Sequence, residues 1–211
     1  MPENNYQTAK QFWTDRDQYP PYDYVEARRL CDIKYIVPRV ESARSLLDLG
    51  CGDGRISLVL SYLTRILKFT LVDFSEHLVD REAISKFDFQ CADLSQVRNL
   101  PKADVVVCLG LFPYIFNDED LSGLLGSLNT RGLIVRTPCA LNSHNETINK
   151  YSEALDAQYA AVYRTLKNTV AIIEPHFTIT EVERIYPDKI ESKFNTKQFI
   201  LKCQPSLDIL P

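Results

Sequence analysis

The feature that most constrains how this chain folds is a glycine-rich turn near residue 50. An apolar run closes on Asp48, glycines then follow at every second position, and an apolar helical pattern begins directly afterwards. The segment reads Leu46-Leu47-Asp48-Leu49-Gly50-Cys51-Gly52-Asp53-Gly54-Arg55. This order predicts a buried strand, a tight turn and the start of a helix. Such turns bring backbone N–H groups close to a ligand, because glycine has no Cβ in the way.

Short apolar runs continue to alternate with helical patterns after this turn. The helical patterns predict helices at residues 53–66, 76–85 and 118–128, and the apolar runs predict strands at 45–49, 69–73, 87–91, 105–109 and 132–136. Two more strands are predicted, separated only by a loop, at 177–186 and 196–203. The alternation indicates an α/β fold with a doubly wound, mostly parallel seven-stranded sheet and an antiparallel edge strand.

Two segments lie outside this alternation. Residues 1–44 are expected to form an N-terminal helical cover over a ligand cleft, although packing on a sheet edge would give the same pattern. A polar loop is expected at 137–145 and a long helical insertion at 146–174, before the sixth strand. Because no repeat or linker is visible, residues 45–204 are interpreted as one domain, with a loose tail after it.

Composition narrows the classes of partner. The 211 residues carry a formal net charge of −4 and no clustered Lys or Arg, whereas a protein that grips a phosphate backbone usually has a basic face. Nucleic acid is therefore disfavoured. Six cysteines without a C-x-x-C pair indicate reduced thiols rather than disulfides or a metal site. The polar N-terminus and the lack of a stretch of roughly 20 apolar residues predict a cytoplasmic protein with no membrane partner.

The spacing of the glycines distinguishes two kinds of ligand. A dinucleotide fingerprint reads G-x-G-x-x-G, whereas this turn reads D-x-G-x-G-x-G. The turn resembles motif I of class I S-adenosylmethionine-dependent methyltransferases, whose sheet also has seven strands. The resemblance implies S-adenosylmethionine as the cofactor, with its amino acid part held over Gly50, Cys51, Gly52 and Gly54. It also implies that Asp48 holds the ammonium group, directly or through water.

Further cofactor positions are predicted at the carboxyl ends of successive strands, where open α/β sheets bind ligands. A carboxylate at Asp73 can accept hydrogen bonds from both ribose hydroxyls, and Phe74 beside it can lie on the adenine face. An alternative for Asp73 is a helix cap. The resemblance assigns the adenine amino group to Asp93, next to Leu94, and the floor of the cleft to Leu109 and the residues after it.

The acceptor side is less defined, because methyl transfer needs alignment and needs a base only when the nucleophile starts protonated. No catalytic triad is visible, so the catalytic residues stay open. Candidates for contact with the acceptor are Tyr114, Arg136, His144 and Tyr163. Tyr151, Tyr159 and Tyr163 would share one face of a helix, and Arg164 is a neighbouring candidate. The simpler interpretations are a packed face, a surface ion pair for Arg136 and a solvated loop for His144.

The sequence therefore predicts an enzyme that methylates an oxygen or nitrogen of a small-molecule acceptor. No metal is expected. Alternatives are a methyltransferase that acts on a protein or RNA, a non-catalytic subunit of the same fold that activates a partner, and a nicotinamide-dependent oxidoreductase. Pro138-Cys139 follows the fifth strand, whereas cytosine-C5 enzymes place their nucleophile after the fourth, which disfavours a nucleophilic Cys139. The acceptor and the oligomeric state stay open, since one fold carries many functions.

Overall fold

The computed structural model describes residues 2–15, 24–153, 156–191 and 195–206. Its strands are β1 Ser45–Leu49, β2 Lys68–Asp73, β3 Asp88–Cys91, β4 Ala103–Leu109, β5 Thr130–Ala140, β6 Glu146–Ser152, β7 Ala157–Tyr163, β8 Phe177–Glu183 and β9 Thr196–Pro205. Its α-helices are α1 Pro2–Thr14, α2 Val25–Ile36, α3 Arg55–Leu63, α4 Arg81–Lys86, α5 Asp118–Gly126 and α6 Leu166–Ile173. Short 3₁₀ turns lie at Val37–Arg39, Phe112–Tyr114 and Asp188–Ile190.

Seven of the strands form one sheet in the order β3-β2-β1-β4-β5-β9-β8. The first five pair in parallel, and β9 is antiparallel to both of its neighbours. This confirms the predicted mostly parallel seven-stranded sheet with an antiparallel hairpin at its edge. The edge strand itself is β8, and the antiparallel strand β9 lies one position inside it. The strand order reverses between β1 and β4, so a crevice opens beyond their carboxyl ends.

The sheet is buried on both faces, as its continuous apolar runs require. Along β1, Leu47 and Leu49 point into one apolar cluster while Leu46 points into the other. All three side chains are about 1% exposed. The two clusters fix the sheet rigidly, so that the loops at its carboxyl end are held in position. None of the described helices is both long and apolar enough to cross a membrane.

The predicted helical insertion at 146–174 is wrong. Strands β6 and β7 pair antiparallel as a separate two-stranded sheet, and of the described residues in this range only Leu166–Ile173 is helical. The error has a physical cause: spacings of four and eight residues put side chains on one face of a helix, but they do the same on a strand, whose period is two. The register pairs Tyr151 with Gln158, so Tyr151 lies on the opposite face from Tyr159 and Tyr163.

Two smaller corrections concern element ends. The polar loop expected at 137–145 starts later, because β5 continues through Pro138 to Ala140 by pairing with β9. The helix expected at 76–85 forms only over α4, where the Asp80 side chain accepts a hydrogen bond from the Glu82 N–H and sets its beginning.

The N-terminal region contains the helices α1 and α2. Helix α1 packs against β7, where the rings of Phe12 and Tyr159 meet edge to face. Helix α2 buries Asp32 together with Ile33 and Ile36. The part of the tyrosine-rich loop that contains Tyr19 and Tyr22 lies outside the described residues. The described part of this region thus lies beside the carboxyl end of the sheet.

Candidate cofactor and acceptor site

The glycine-rich turn joins β1 to α3 with a left-handed backbone. Gly50, Gly52 and Gly54 have φ angles of 69°, 57° and 72°, which side-chain-bearing residues rarely adopt. At Gly54 the reason is also packing, since a Cβ would lie 2.9 Å from the Ala83 Cβ. Gly50 and Gly52 instead line the cavities at the carboxyl end of the sheet. The turn therefore presents bare backbone to whatever binds there.

Asp48 lies beneath this turn and is 3% exposed. Its Oδ2 accepts a hydrogen bond of 2.6 Å from the Ser57 hydroxyl at the first turn of α3. Burial raises the pKa of Asp48 to about 7, and the nearby carboxylates of Asp73 and Asp53 act in the same direction. A buried carboxylate with acidic neighbours would be stabilised by a bound cation, which fits the predicted ammonium partner.

Asp73 ends β2 and points at the same turn. Its Oδ2 accepts a hydrogen bond from the Gly52 N–H at 2.9 Å, and its Oδ1 accepts one from the Ser75 N–H at 3.0 Å. Burial raises the pKa of Asp73, whereas these backbone hydrogen bonds lower it. The two N–H groups fix the plane of the carboxylate, and each oxygen keeps a lone pair for a ligand hydroxyl.

Two cavities meet at this carboxylate edge. The small cavity, of about 60 Å³, is lined by Asp73, Phe74, Leu94 and neighbours, and the large cavity, of about 250 Å³, is lined by Asp48, Cys51, Arg136, Tyr163 and others. Six residues line both cavities: Trp13, Gly50, Gly52, Leu109, Gly110 and Tyr114. The cavities therefore form one groove across the point where the strand order reverses.

Asp93 does not line the groove, unlike Asp48 and Asp73, the other acids predicted to bind the cofactor. Its carboxylate accepts hydrogen bonds from Tyr6 and Ser95 and pairs with Lys10 at 3.2 Å, and it lies outside the lining of both cavities. Although burial alone would raise it, the hydrogen bonds from Tyr6 and Ser95 lower the pKa of Asp93. Asp93 anchors α1 in this structure, and its contact with adenine stays a prediction.

An aromatic wall closes the large cavity. The hydroxyls of Tyr114 and Tyr159 lie 3.2 Å apart, and those of Tyr159 and Tyr163 lie 3.1 Å apart, which gives a chain of three hydrogen-bonded hydroxyls. The Trp13 ring meets the Tyr114 ring edge to face. Burial raises the pKa of Tyr163, so this hydroxyl stays protonated and is a poor base.

Arg136 lies in the middle of β5 rather than at its end, and its side chain is 15% exposed. Its guanidinium donates a hydrogen bond to the Leu109 carbonyl at 3.2 Å, and its Nε lies 3.5 Å from an oxygen of the buried Asp32. The Tyr186 hydroxyl lies 3.0 Å from both oxygens of that carboxylate. Burial raises the pKa of Asp32 above its ordinary value, and the charge of Arg136 and the hydrogen bond from Tyr186 offset only part of this rise.

Sequence reasoning missed Asp32 and Tyr186 as members of the site. They come from α2 and from the loop after β8, so no local spacing connects them with Arg136. One signal was available: Asp32 lies within the buried stripe of α2, beside Ile33 and Ile36. An acid in such a stripe needs a partner, because an unpaired buried charge is costly.

Three predicted acceptor contacts lie elsewhere. His144 is exposed in the segment between β5 and β6 and lines neither cavity. Tyr151 is 55% exposed on the outer face of the hairpin. Arg164 is 3% exposed and donates hydrogen bonds to the carbonyls of Phe112 and Ile115, so it holds the 3₁₀ turn in place rather than facing an acceptor.

Residues 46–130, which include β1, the glycine-rich turn and Asp73, match the family model described as a methyltransferase domain. The match covers 85 of the 211 residues, so it shows that this stretch is similar to a class I methyltransferase domain and does not assign the rest of the chain. S-adenosylmethionine is the cofactor of this class, and the residues present fit it: bare backbone at Gly52 borders both cavities, and the buried acids Asp48 and Asp73 face the groove.

The curated relatives that the chain matches are methyltransferases. The chain is 25% identical over 132 residues to a malonyl-[acyl-carrier protein] O-methyltransferase of Bacillus cereus, a match that covers 60% of this chain and 47% of the relative. For the enzyme of the same name in Bacillus cytotoxicus, the identity is 24% over 177 residues, 80% of this chain and 59% of the relative. The chain thus spans about half the length of the curated relatives it matches.

Solved methyltransferases share its fold. A S-adenosylmethionine-dependent methyltransferase from Clostridium acetobutylicum superimposes with a TM-score of 0.62 at 14% identity, over 88% of this chain and 96% of that one. Magnesium protoporphyrin IX methyltransferase from Synechocystis, with bound SAM, gives a TM-score of 0.60 at 18% identity, over 93% and 91% of the two chains. At these identities the likeness shows the fold of this chain and leaves its acceptor open.

Proposed function

We propose that this protein transfers the methyl group of S-adenosylmethionine to an oxygen or nitrogen of a small-molecule acceptor. The observation that carries the proposal is the continuity of the two cavities. The glycine-rich turn and Gly110 border both, so a donor on one side and an acceptor on the other would meet at their junction. A cavity of about 250 Å³ suits a compact acceptor or one end of a longer molecule.

Each part of the cofactor has a matching set of residues in the proposed site. Asp48 would hold the ammonium group beside the glycine-rich turn, and Asp73 would accept the two ribose hydroxyls. Phe74 and Leu94 would enclose the adenine from the apolar side of the small cavity. Asp93 would reach the adenine amino group only in competition with its present partners Tyr6 and Lys10.

The bound cofactor supplies an activated methyl group on a positively charged sulfur, so the protein's own work is alignment and the exclusion of water. Trp13 and the tyrosine wall cover the junction of the cavities and orient an acceptor against it. None of the three histidines, His77, His144 and His176, lines either cavity. This arrangement suits an acceptor atom that needs no dedicated base.

The names of the curated relatives favour oxygen as the attacked atom. Those proteins are malonyl-[acyl-carrier protein] O-methyltransferases, but the chain spans only about half of their length. Oxygen is therefore the first acceptor atom to test, and nitrogen is the second. A protein-bound acceptor is the alternative that those names raise.

The direct test gives the protein S-adenosylmethionine labelled in its methyl group together with a cell extract separated into small molecules, RNA and protein. The proposal predicts label in the small-molecule fraction only. Label in the protein or RNA fraction would contradict the small-molecule acceptor while keeping the methyltransferase. Cofactor binding without transfer to any fraction would favour the non-catalytic subunit, and binding of nicotinamide dinucleotide instead would favour the oxidoreductase.

A further inference from the structure

The large cavity carries more positive than negative charge. Among the residues that the structure describes, four cationic side chains and three acidic ones line it: Arg28, Arg29, Arg136 and Lys150 against Asp32, Asp48 and Asp53. Arg29 pairs with Asp53, and Arg136 pairs with Asp32. Under the proposed function the donor adds a sulfonium, an ammonium and one carboxylate. The combined site therefore favours an acceptor with negative charge.

Arg136 lies at the junction of the two cavities. A Cβ added to Gly110 would lie 3.0 Å from its Nη1, so the guanidinium rests directly against the backbone of Gly110. Gly110 has a φ of 94° and lines both cavities. The close approach of the guanidinium thus depends on glycine at the residue that follows β4, beside the donor's end of the groove.

The guanidinium is also held in one orientation. Leu109 accepts one of its hydrogen bonds, Gln198 lies 3.5 Å from its Nη1, and Asp32 pairs with its Nε side. Asp32 is itself fixed by Tyr186. A guanidinium is planar and permanently charged, and one held in this way binds a carboxylate with a defined geometry.

We propose that Arg136 binds the carboxylate of an acidic acceptor and that an oxygen of this carboxylate is the atom that is methylated. The proposal rests on the proposed function and names its acceptor class. The carboxylate oxygen attacks the methyl carbon, a C–O bond forms, the S–CH₃ bond breaks and its electron pair stays on sulfur. The products are a methyl ester and S-adenosylhomocysteine, and no proton is transferred.

The chemistry of the cavity agrees with this acceptor class. An alcohol or an ammonium must lose a proton, but no histidine lines the cavity and burial raises the pKa of Tyr163. A carboxylate is already ionised at neutral pH, so alignment is sufficient. Asp32 and Tyr186 act as positioning residues, because they contact Arg136 or its partner rather than the acceptor.

The experiment measures acid binding by calorimetry to protein saturated with S-adenosylhomocysteine. The probes are phenylacetate, octanoate and the malonyl thioester of N-acetylcysteamine, each compared with its uncharged primary amide. The variants are Arg136→Gln and Arg136→Lys, and the control is Arg131→Gln, an arginine of the same strand whose side chain is 80% exposed. Any methyl transferred from labelled S-adenosylmethionine is then tested for release by mild base, which cleaves esters but not methyl amines or ethers.

The proposal predicts that at least one acid binds tenfold or more tightly than its amide, and that the transferred methyl is released by base. Arg136→Gln should abolish the preference for the acid, and Arg136→Lys should keep part of it. The control Arg131→Gln should keep all of the preference and should bind S-adenosylhomocysteine with unchanged affinity. The proposal is overturned if no acid is preferred, if the preference survives Arg136→Gln in folded protein, or if the methyl is stable to base. Failure of the unaltered protein to bind S-adenosylhomocysteine would instead contradict the proposed function.

Discussion

At the scale of single residues, the ribose contact proposed for Asp73 gives the sharpest prediction. Asp73→Ala removes a carboxylate whose plane is set by the N–H groups of Gly52 and Ser75. Charged hydrogen bonds contribute about 1.5–3 kcal/mol each, so the affinity for S-adenosylhomocysteine should fall at least tenfold in a calorimetric titration. The control is Asp88→Ala on the neighbouring strand, whose side chain is 66% exposed. Equal affinities of the two variants would refute the ribose contact.

Asp48 predicts a pH dependence of cofactor binding. Burial raises its pKa to about 7, and a bound ammonium group favours the ionised form. The affinity for S-adenosylhomocysteine should therefore increase as the pH rises from 6 to 8 and level off above the pKa. Asp48→Asn should bind more weakly and lose this dependence. The check is titration in a series of buffers, and an unchanged slope in the variant would contradict the role of Asp48.

Local residues of the site could be predicted from the sequence, whereas distant ones could not. The glycine-rich turn follows β1 and Asp73 ends β2. Because these two strands pair in parallel, both features lie at the carboxyl-end edge of the sheet. Arg136 was predicted to face the cleft and lines the large cavity, but its partners Asp32 and Tyr186 lie in other elements, and only the fold brings the three together. His144 was expected near the cleft because it follows β5, yet the strand continues to Ala140 and carries it outward.

At the scale of elements, the glycine-rich turn should tolerate no side chain at its centre. Gly52→Val places a branched side chain where the φ of 57° disfavours it and where the backbone borders both cavities. We expect loss of S-adenosylhomocysteine binding by calorimetry, with the fold checked by circular dichroism. The control is Gly132→Ala, whose added Cβ would lie 3.9 Å from the Cys203 carbonyl. Undiminished affinity in Gly52→Val would refute the assigned position of the donor.

Arg164 connects the end of β7 to the 3₁₀ turn that carries Tyr114. Arg164→Met would leave the carbonyls of Phe112 and Ile115 without this donor, and an unsatisfied buried polar group costs about 1–3 kcal/mol. The free energy of unfolding in urea should therefore fall by about 3 kcal/mol. Arg131→Met, at an exposed position of β5, should change it by less than about 0.5 kcal/mol. A change of less than about 0.5 kcal/mol in Arg164→Met would contradict a stabilising role for these two hydrogen bonds.

The parallel strands could be predicted because each is a short apolar run bounded by polar residues, and burial on both faces leaves little choice. The β6–β7 hairpin could not, since it is half exposed and its tyrosine spacing is compatible with either element. What decides in favour of strands is the pairing of residues 146–152 with 157–163, a contact that no single segment reveals. The tyrosines of the aromatic wall were consequently assigned to a helix instead of a strand; Tyr163 lines the large cavity, and its contact with an acceptor stays a prediction.

At the scale of the whole molecule, the fold brings together parts with separate tasks. The parallel sheet positions the donor residues at the strand ends, the hairpin and α1 supply the aromatic wall, and α2 supplies the acid that holds Arg136. In this fold the ligand crevice lies between β1 and β4, at the carboxyl ends of the parallel strands. The proposed donor residues lie on the sheet, whereas the proposed acceptor contacts come from the hairpin and helices around it.

The most direct test of this account is a crystal structure of the protein with S-adenosylhomocysteine. The account predicts the amino acid part over Gly50–Gly54 with its ammonium group near Asp48, and the ribose hydroxyls within hydrogen-bond distance of Asp73. The sulfur should lie at the junction of the two cavities and face Arg136 and the tyrosine wall. A ligand bound elsewhere, or one whose sulfur faces away from the large cavity, would contradict the account.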